Sequence, residues 1–507
     1  MRRSGIGGSF LSNQRREPRR DAWAPGALAF AGVLGLYVFT LLPGVGYWDT
    51  GEMQTVPYLP GIAHPTGFPL FVLGGWAFAH LVPFGNVAWR LSLFAACASA
   101  GASGALAAFV ADVTGSRLPA VAAALAFAVG DVAWTRGTRA DVHDLALFAV
   151  ALAAALAFRA GRSGAPRTLA AAALAAGLGL ATHPVALLAL PGIVLVAWPA
   201  LAAAAARARL TACACLAAPL ALYAYVPLRS AFVEAHALDP ARALGVRGGA
   251  FWDTDAPSSA AAFARYVSGS EFGAGASVAR GAGAAGVAHG LAFAREAAYG
   301  EYSYLILALA LCGFAYLALR EPYAAAGLAA IALAGAAFAA NFAVESDPWR
   351  YLLGGLWAVA ACAAAGACAL ADAVLPQHRR LAPLLATVLL LAGLWPNAGG
   401  AARELGRAHR LADARDLGGD VARYARPGSV VVASWTFAAP LAYDAYVEKT
   451  FRPHLVCGWP HDVASHFAAW RARYGHVYFV LPPGYATAPY ARRIFATSRF
   501  QLAELRS

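Results

Sequence analysis

The sequence predicts an α-helical polytopic membrane protein with about eleven transmembrane helices and a small C-terminal α/β domain. Three observations lead there. Of 507 residues, 60% are hydrophobic and only 13% charged, with a mean hydropathy of +0.56, whereas soluble domains carry about a quarter charged residues. The apolar residues are gathered into long runs suited to a bilayer core, which needs roughly 20 of them per helix. Beyond Gly399 the runs give way to an alternation of helix-like and strand-like segments.

The apolar runs, in order, are Pro25 to Leu42, Val87 to Ala111, Leu118 to Val132, Leu145 to Phe158, Thr168 to Ala181, Val185 to Pro199, Leu210 to Leu228, Tyr304 to Leu319, Ala324 to Phe342, Tyr351 to Ala371 and Leu381 to Trp395. The segment from 1 to 24 is polar and basic, with Arg2, Arg3, Arg15, Arg16, Arg19 and Arg20. No small-residue cleavage site follows its apolar neighbour, which reads as a retained first helix. Phe68 to Val82 is apolar but short and interrupted by Gly74 and Gly75, which suits an interfacial or re-entrant piece.

If that piece does not cross, Arg117, Arg159, Arg162, Arg167, Arg207, Arg209, Arg320, Arg379 and Arg380 all fall on the side of the basic N-terminus. The positive-inside rule makes that side cytoplasmic. The opposite side receives Asp49, Glu52 and His64 in a first loop (43–86), then Arg136, Arg139, Asp141, His143 and Asp144, then His183, a long loop (229–302) opened by Arg229, and finally Glu345, Asp347 and Arg350. The chemistry is expected on that side. The formal charge of +12 is scattered in short clusters, so it argues for membrane topology and against a nucleic-acid partner. The seven cysteines lie mostly in apolar runs without CxxC spacing, which gives neither a zinc site nor a disulfide framework.

The chain divides into the basic N-terminus, a membrane domain over 25–398 and an outer domain over 399–507. In the last, Leu411 to Tyr424 reads as helix, Ser429 to Ala433 as strand, Pro440 to Glu448 as helix and Val477 to Leu481 as strand, an α/β pattern. An odd number of spans puts this domain outside the cytoplasm. It has no glycine-rich phosphate loop of the GxGxxG or GxxxxGK[ST] type, so no nucleotide role is assigned.

The first loop is the most informative stretch: Tyr47-Trp48-Asp49-Thr50-Gly51-Glu52, then Gly61-Ile62-Ala63-His64-Pro65-Thr66-Gly67-Phe68-Pro69. Two carboxylates three residues apart share a helical face, and at a membrane interface one of them can accept a proton. The plainer alternative makes Asp49 a helix N-cap and Glu52 the N3 member of a capping box. Both stay open on spacing alone.

The run Asp49-Thr-Gly-Glu52, with Gly-Ile-Ala-His64-Pro-Thr-Gly-Phe-Pro69, Pro83-Phe-Gly85 and Trp89-Arg90-Leu91, resembles the N-terminal signature of the bacterial membrane family related to protein O-mannosyltransferases, in the GT-C class of glycosyltransferases. Trp134 with Asp141-Val-His143, Gly179-Leu-Ala-Thr-His183-Pro, and Tyr223-Ala-Tyr225-Val-Pro-Leu-Arg229 continue the resemblance over most of residues 20 to 350. Asp141 and His143 stand where the family has Glu and Tyr, and Pro184 where it has a second His.

The resemblance implies a GT-C-like membrane glycosyltransferase that moves a sugar, mannose among the candidates, with inversion. The donor would be a polyprenyl-phosphate-linked sugar and the acceptor a hydroxyl on an exported protein or an envelope glycan or lipid, at the outer side of the bacterial inner membrane. Asp49 is expected to be the base and Glu52 its alternate. Arg90, Arg136, Arg139 and Arg229 suit a departing phosphate because the guanidinium fork matches phosphate oxygens. His64, Asp141, His143 and His183 complete the expected substrate site. No acidic cluster shows diagnostic metal spacing, so a divalent metal is unassigned. A transporter or flippase of lipid-linked intermediates and a non-catalytic envelope assembly protein are the alternatives.

Overall fold

The computed structural model describes residues 23–270, 292–293, 295–296, 299–341, 348–485 and 490–506. The basic N-terminus up to residue 22, Phe272, Phe342, Glu345 and Asp347 lie outside the described residues. A helix occupies each of the eleven apolar runs. Among the described residues, seven helices are long and apolar enough to cross a bilayer by length and composition, and eight if one bent pair counts as a span. The Phe68 to Val82 piece forms the short helix Pro69–Leu81. At 13 residues it reaches only about 20 Å, well under a hydrocarbon core of about 30 Å.

Three runs differ from expectation. The run Leu118 to Val132 is broken: Arg117–Ala128 stops, Asp131–Gly137 starts, and the two are bent by 76°, which turns the second helix into the cluster described below. The run from Leu210 extends through 3-10 and α-helix to Ala235, so the long loop begins later than Arg229. The last apolar run continues as one helix, Ala382–Ala412, with Pro396, Gly399 and Gly400 inside it. The boundary placed at residue 399 therefore falls within a continuous helix.

Small residues let the membrane helices approach closely. Where the helix Tyr304–Arg320 crosses Leu353–Val374, a Cβ on Gly366 would stand 1.9 Å from the Leu309 carbonyl oxygen, and one on Gly313 1.8 Å from that of Cys362. Backbones this close are held by dispersion between small residues, since lipid is as apolar as the helix surfaces. The Trp357 indole donates to the Ala102 carbonyl at 3.1 Å within the same interior. At one end of the bundle, Arg159 pairs with Asp112 and Arg162 with Glu321. Arg117, Arg167, Arg207, Arg209, Arg320, Arg379 and Arg380 lie in turns or at helix ends.

At the other end stands a five-stranded sheet of order β2-β1-β3-β5-β4, with β1 Val430–Ala433, β2 His454–Cys457, β3 Val477–Leu481, β4 Ala491–Ala496 and β5 Gln501–Leu505. β1 pairs in parallel with β2 and β3, while β5 pairs antiparallel with β3 and β4. Sequence patterning finds the all-buried β1 and β3; it misses β2, β4 and β5, of which β4 is an exposed edge carrying Arg492 and Arg493. The expected helix from Pro440 begins earlier, at Trp435.

This domain is welded to the first loop. Val45, Tyr47 and Met53 share one core with Phe437, Ala438 and Leu441. The first-loop helix Trp48–Thr55 lies against Trp435–Ala442 so closely that a Cβ on Gly51 would meet the Gly46 carbonyl oxygen at 2.3 Å and the Ala439 carbonyl carbon at 3.2 Å. On its other side, buried Gln54 accepts from Gly46 N at 2.8 Å and donates to Ser92 Oγ at 3.0 Å. The loop is thereby held between bundle and sheet.

Replacing Gly366 by Leu is expected to cost at least about 1–3 kcal/mol through overpacking and to lower the melting temperature in detergent. Gly35→Leu, at a position with nothing within 4 Å of its Cβ direction, is expected to leave it unchanged. Equal melting of the two variants would contradict the close crossing.

Candidate active site

The helix Trp48–Thr55 starts after Tyr47, which makes no side-chain cap. Asp49 is therefore inside the first turn, and the capping-box alternative does not hold. Glu52 follows one turn later, fully buried. It accepts a hydrogen bond from the His64 backbone N–H at 2.7 Å on one oxygen and contacts His64 Nδ1 with the other. His64 is delivered by a loop tied down from elsewhere. The Tyr225 hydroxyl donates to the Pro60 carbonyl at 2.7 Å, Thr254 Oγ1 to Ile62 at 2.7 Å, and the Tyr266 hydroxyl to Ala63.

Burial opposes both charges of this pair, and each charge supports the other. Burial pushes the Glu52 carboxyl up against the pull of His64. For His64, burial pulls the imidazole down, but the Glu52 charge and hydrogen bond, with the Asp49 charge, prevail and raise it to about 9. His64 is thus cationic at neutral pH.

Asp49 keeps 32% of its side-chain surface open and faces a cavity of about 1410 Å³. Its Oδ2 accepts from Arg350 Nη1 at 3.0 Å and its Oδ1 from the Trp435 indole N–H at 3.0 Å. Burial would raise this carboxyl, but the charges of His64 and Arg350 and the two donors hold it at about 2. It is an ionised, doubly anchored carboxylate at all physiological pH.

Asp141, also at the cavity, caps the helix Val142–Ser163. Its Oδ1 accepts from the His143 backbone N–H at 2.9 Å and stands 2.7 Å from His143 Nδ1, while Oδ2 accepts from Arg136 at 3.3 Å. Burial and the neighbouring Arg136 charge draw Arg139 down to about 9, which marks a crowding of cations that an anion would relieve. The His143 ring is 4% exposed, sits 4.5 Å from the His183 ring, and has no hydrogen-bond partner at Nε2 among the described residues. His183 stacks on Phe68 at 5.1 Å and accepts from Val185 N at 2.9 Å through Nδ1. On the cavity's far flank Glu301 accepts from Val132 N at 2.5 Å, and burial raises its carboxyl to about 8.

Asp49, His64, Arg136, Arg139, Asp141, His143 and His183 all line the one cavity. Glu52 does not; it stands behind His64. Arg90 and Arg229 are not among the residues that line it. Arg90 donates to the carbonyls of Ala79, Phe84 and Gly85, closing the end of the helix Pro69–Leu81. Arg229 donates to the Leu59 carbonyl at 3.2 Å and packs over Phe232. Two further residues, Arg350 and Trp435, contact Asp49 directly. Arg350 is signalled by its place among the outer-loop residues. Trp435 follows the carboxyl end of β1, the edge where open α/β sheets bind ligands.

Asp49, Glu52 and His64 each offer one ligand atom within 4.8 Å of the others, a donor set suited to a divalent cation. Arg350 already balances Asp49, and His64 balances Glu52. A cation here would stand against the charge of Arg350 and would need His64 as a neutral imidazole.

Residues 49–202 match the family model for the protein O-mannosyl-transferase TMEM260 N-terminal domain. The chain is 34% identical over 142 residues to protein O-mannosyl-transferase TMEM260 of Mus musculus, covering 27% of this chain and 20% of that protein. It is 39% identical over 67 residues to the Dictyostelium discoideum protein of the same name, covering 13% and 8%. The matched stretches thus span a fifth or less of the curated relatives. Among solved structures, ArnT from Cupriavidus metallidurans bound to undecaprenyl phosphate aligns over 96% of this chain and 98% of its own, with TM-score 0.57 and 12% identity. The archaeal oligosaccharyltransferase AglB from Archaeoglobus fulgidus, in complex with an inhibitory peptide and a dolichol-phosphate, aligns over 90% and 69%, with TM-score 0.53 and 12% identity. At such identity the likeness is one of fold, and the fold is GT-C-like, as the first-loop motif implies.

Because His64 is raised from 6.5 to about 9, its ion pair stabilises fully below about pH 6.5 and loses that contribution as pH rises through about 9. Melting of the purified protein is expected to drop progressively between about pH 6.5 and about pH 9 and to level off above that. In Glu52→Gln that drop disappears and the protein is already less stable at neutral pH. Superimposable melting curves for the two proteins would refute the pairing.

Proposed function

We propose that this chain is a membrane glycosyltransferase that passes a sugar from a polyprenyl-phosphate-linked donor to a hydroxyl on an exported protein or an envelope glycan or lipid, inverting the anomeric carbon. The observation that carries this reading is Asp49: an ionised carboxylate, held by two donors, that opens onto a cavity also lined by Arg136, Arg139 and His143. The matched O-mannosyl-transferase domain supports the sugar-transfer class. The undecaprenyl phosphate and dolichol-phosphate held by the two fold relatives support the donor class. Mannose is the first sugar to test.

In this mechanism the acceptor hydroxyl gives its proton to Asp49 as its oxygen bonds the anomeric carbon. The bond from that carbon to the phosphate oxygen breaks, and its electron pair leaves with the polyprenyl phosphate. Arg136 and Arg139 stabilise the departing charge. Attack opposite the leaving group inverts the centre. A carboxylate held at about 2 is a weak base, which suits a transition state with oxocarbenium character, where the acceptor proton becomes acidic only as bonding to carbon advances. Glu52 acts one step back, by fixing His64 beside that base. The cavity and the α/β domain lie at the end of the bundle opposite the paired arginine turns, and we assign them to the extracytoplasmic side of a bacterial inner membrane.

Transfer by purified protein is expected to fall about 10²- to 10⁴-fold in Asp49→Asn, the range for loss of a general base, with folding retained; full turnover in that variant would remove the mechanism. For orientation, a cysteine-free background carrying Ser498→Cys on the α/β domain should be labelled by an impermeant maleimide in intact cells, and one carrying Ser163→Cys should not. The reverse pattern would overturn the assignment.

A further inference from the structure

Trp435 is supplied by the α/β domain, as the first residue of the helix that follows β1. Its ring is wedged between two groups of the membrane part: it stacks on Phe251 at 5.5 Å with 14° between planes, and meets the His64 ring edge-on at 5.9 Å and 89°. Its helix is packed backbone-close to the first-loop helix at Gly51 and Ala439. The indole N–H is aimed by both constraints at Asp49 Oδ1, 3.0 Å away, while Arg350 holds Oδ2 at 3.0 Å.

A carboxylate turns readily about its terminal torsion, which has a broad, two-fold profile. One donor per oxygen, from chain segments distant in sequence, fixes the carboxylate plane and leaves each oxygen a second acceptor site. We propose that Trp435 is a positioning residue for Asp49, so that the α/β domain completes the active site and is a working part of the catalytic unit. This rests on the reading of Asp49 as base. Deleting the domain therefore does not separate an enzyme from a scaffold, because the deletion removes a group that holds the base.

The test removes the N–H and keeps the ring. Two forms serve: Trp435→Phe, and full-length protein in which Trp435 is replaced by the benzothiophene isostere of tryptophan, with melting temperature measured beside activity for each. A misaligned base costs on the order of 10- to 100-fold in rate. The expected result is such a fall in kcat, with KM for donor and acceptor within about twofold, because the lost contact acts on the reacting step and touches neither substrate. Wild-type kcat in the isostere-bearing protein, or a loss carried by KM, would overturn the positioning role while Asp49→Asn remained inactive. An active Asp49→Asn would overturn the base assignment and this proposal with it.

Discussion

A carboxylate with no exposed surface remains charged only beside a cation, and the Glu52 to His64 ion pair meets that condition at the centre of the first loop. Because removing one partner would leave a buried unpaired charge, the pair closes the loop onto its own helix. Once closed, His64 abuts Phe68, Phe68 stacks on His183, and His183 meets His143. One buried acid thereby aligns residues from three separate outer segments along a single cavity wall. The loop's outer tethers from Tyr225, Thr254 and Tyr266 make sense as means of delivering that histidine.

What was readable in the sequence follows from range. Hydropathy is local, so the apolar helices and the two buried central strands were legible. The Asp49 and Glu52 pair was legible because one helical turn separates them. Glu52 finding His64 was not, since the chain must leave its helix and travel eleven residues before His64, along a path set by tyrosines far downstream. Arg350 and Trp435 reach Asp49 across 301 and 386 residues, and no spacing rule connects such positions. Arg90 and Arg229 donate to backbone carbonyls near helix ends, contacts that no spacing in the sequence foretells. Pro396 and the Gly399-Gly400 pair look like a stop, but the helix Ala382–Ala412 runs through them.

The distribution of charge supports the division of labour in the fold. Arginines at one end of the bundle pair with Asp112 and Glu321 and have no access to the cavity. Those at the other end, Arg136, Arg139 and Arg350, converge on it beside three histidines. Partial burial away from bulk water strengthens every such interaction.

The helix Ala382–Ala412 has 31 residues and is roughly 46 Å long at 1.5 Å per residue, about half again the hydrocarbon thickness. Its outer half walls the cavity through Asn397, Glu404, Ala408 and Leu411, and its tip leads directly into the α/β domain. Such a member acts as a mast stepped in the membrane. Any force that tips the domain, such as a bulky substrate leaning on the sheet, is transmitted as a tilt of the wall itself, so the size of the chamber and the pose of the domain change together.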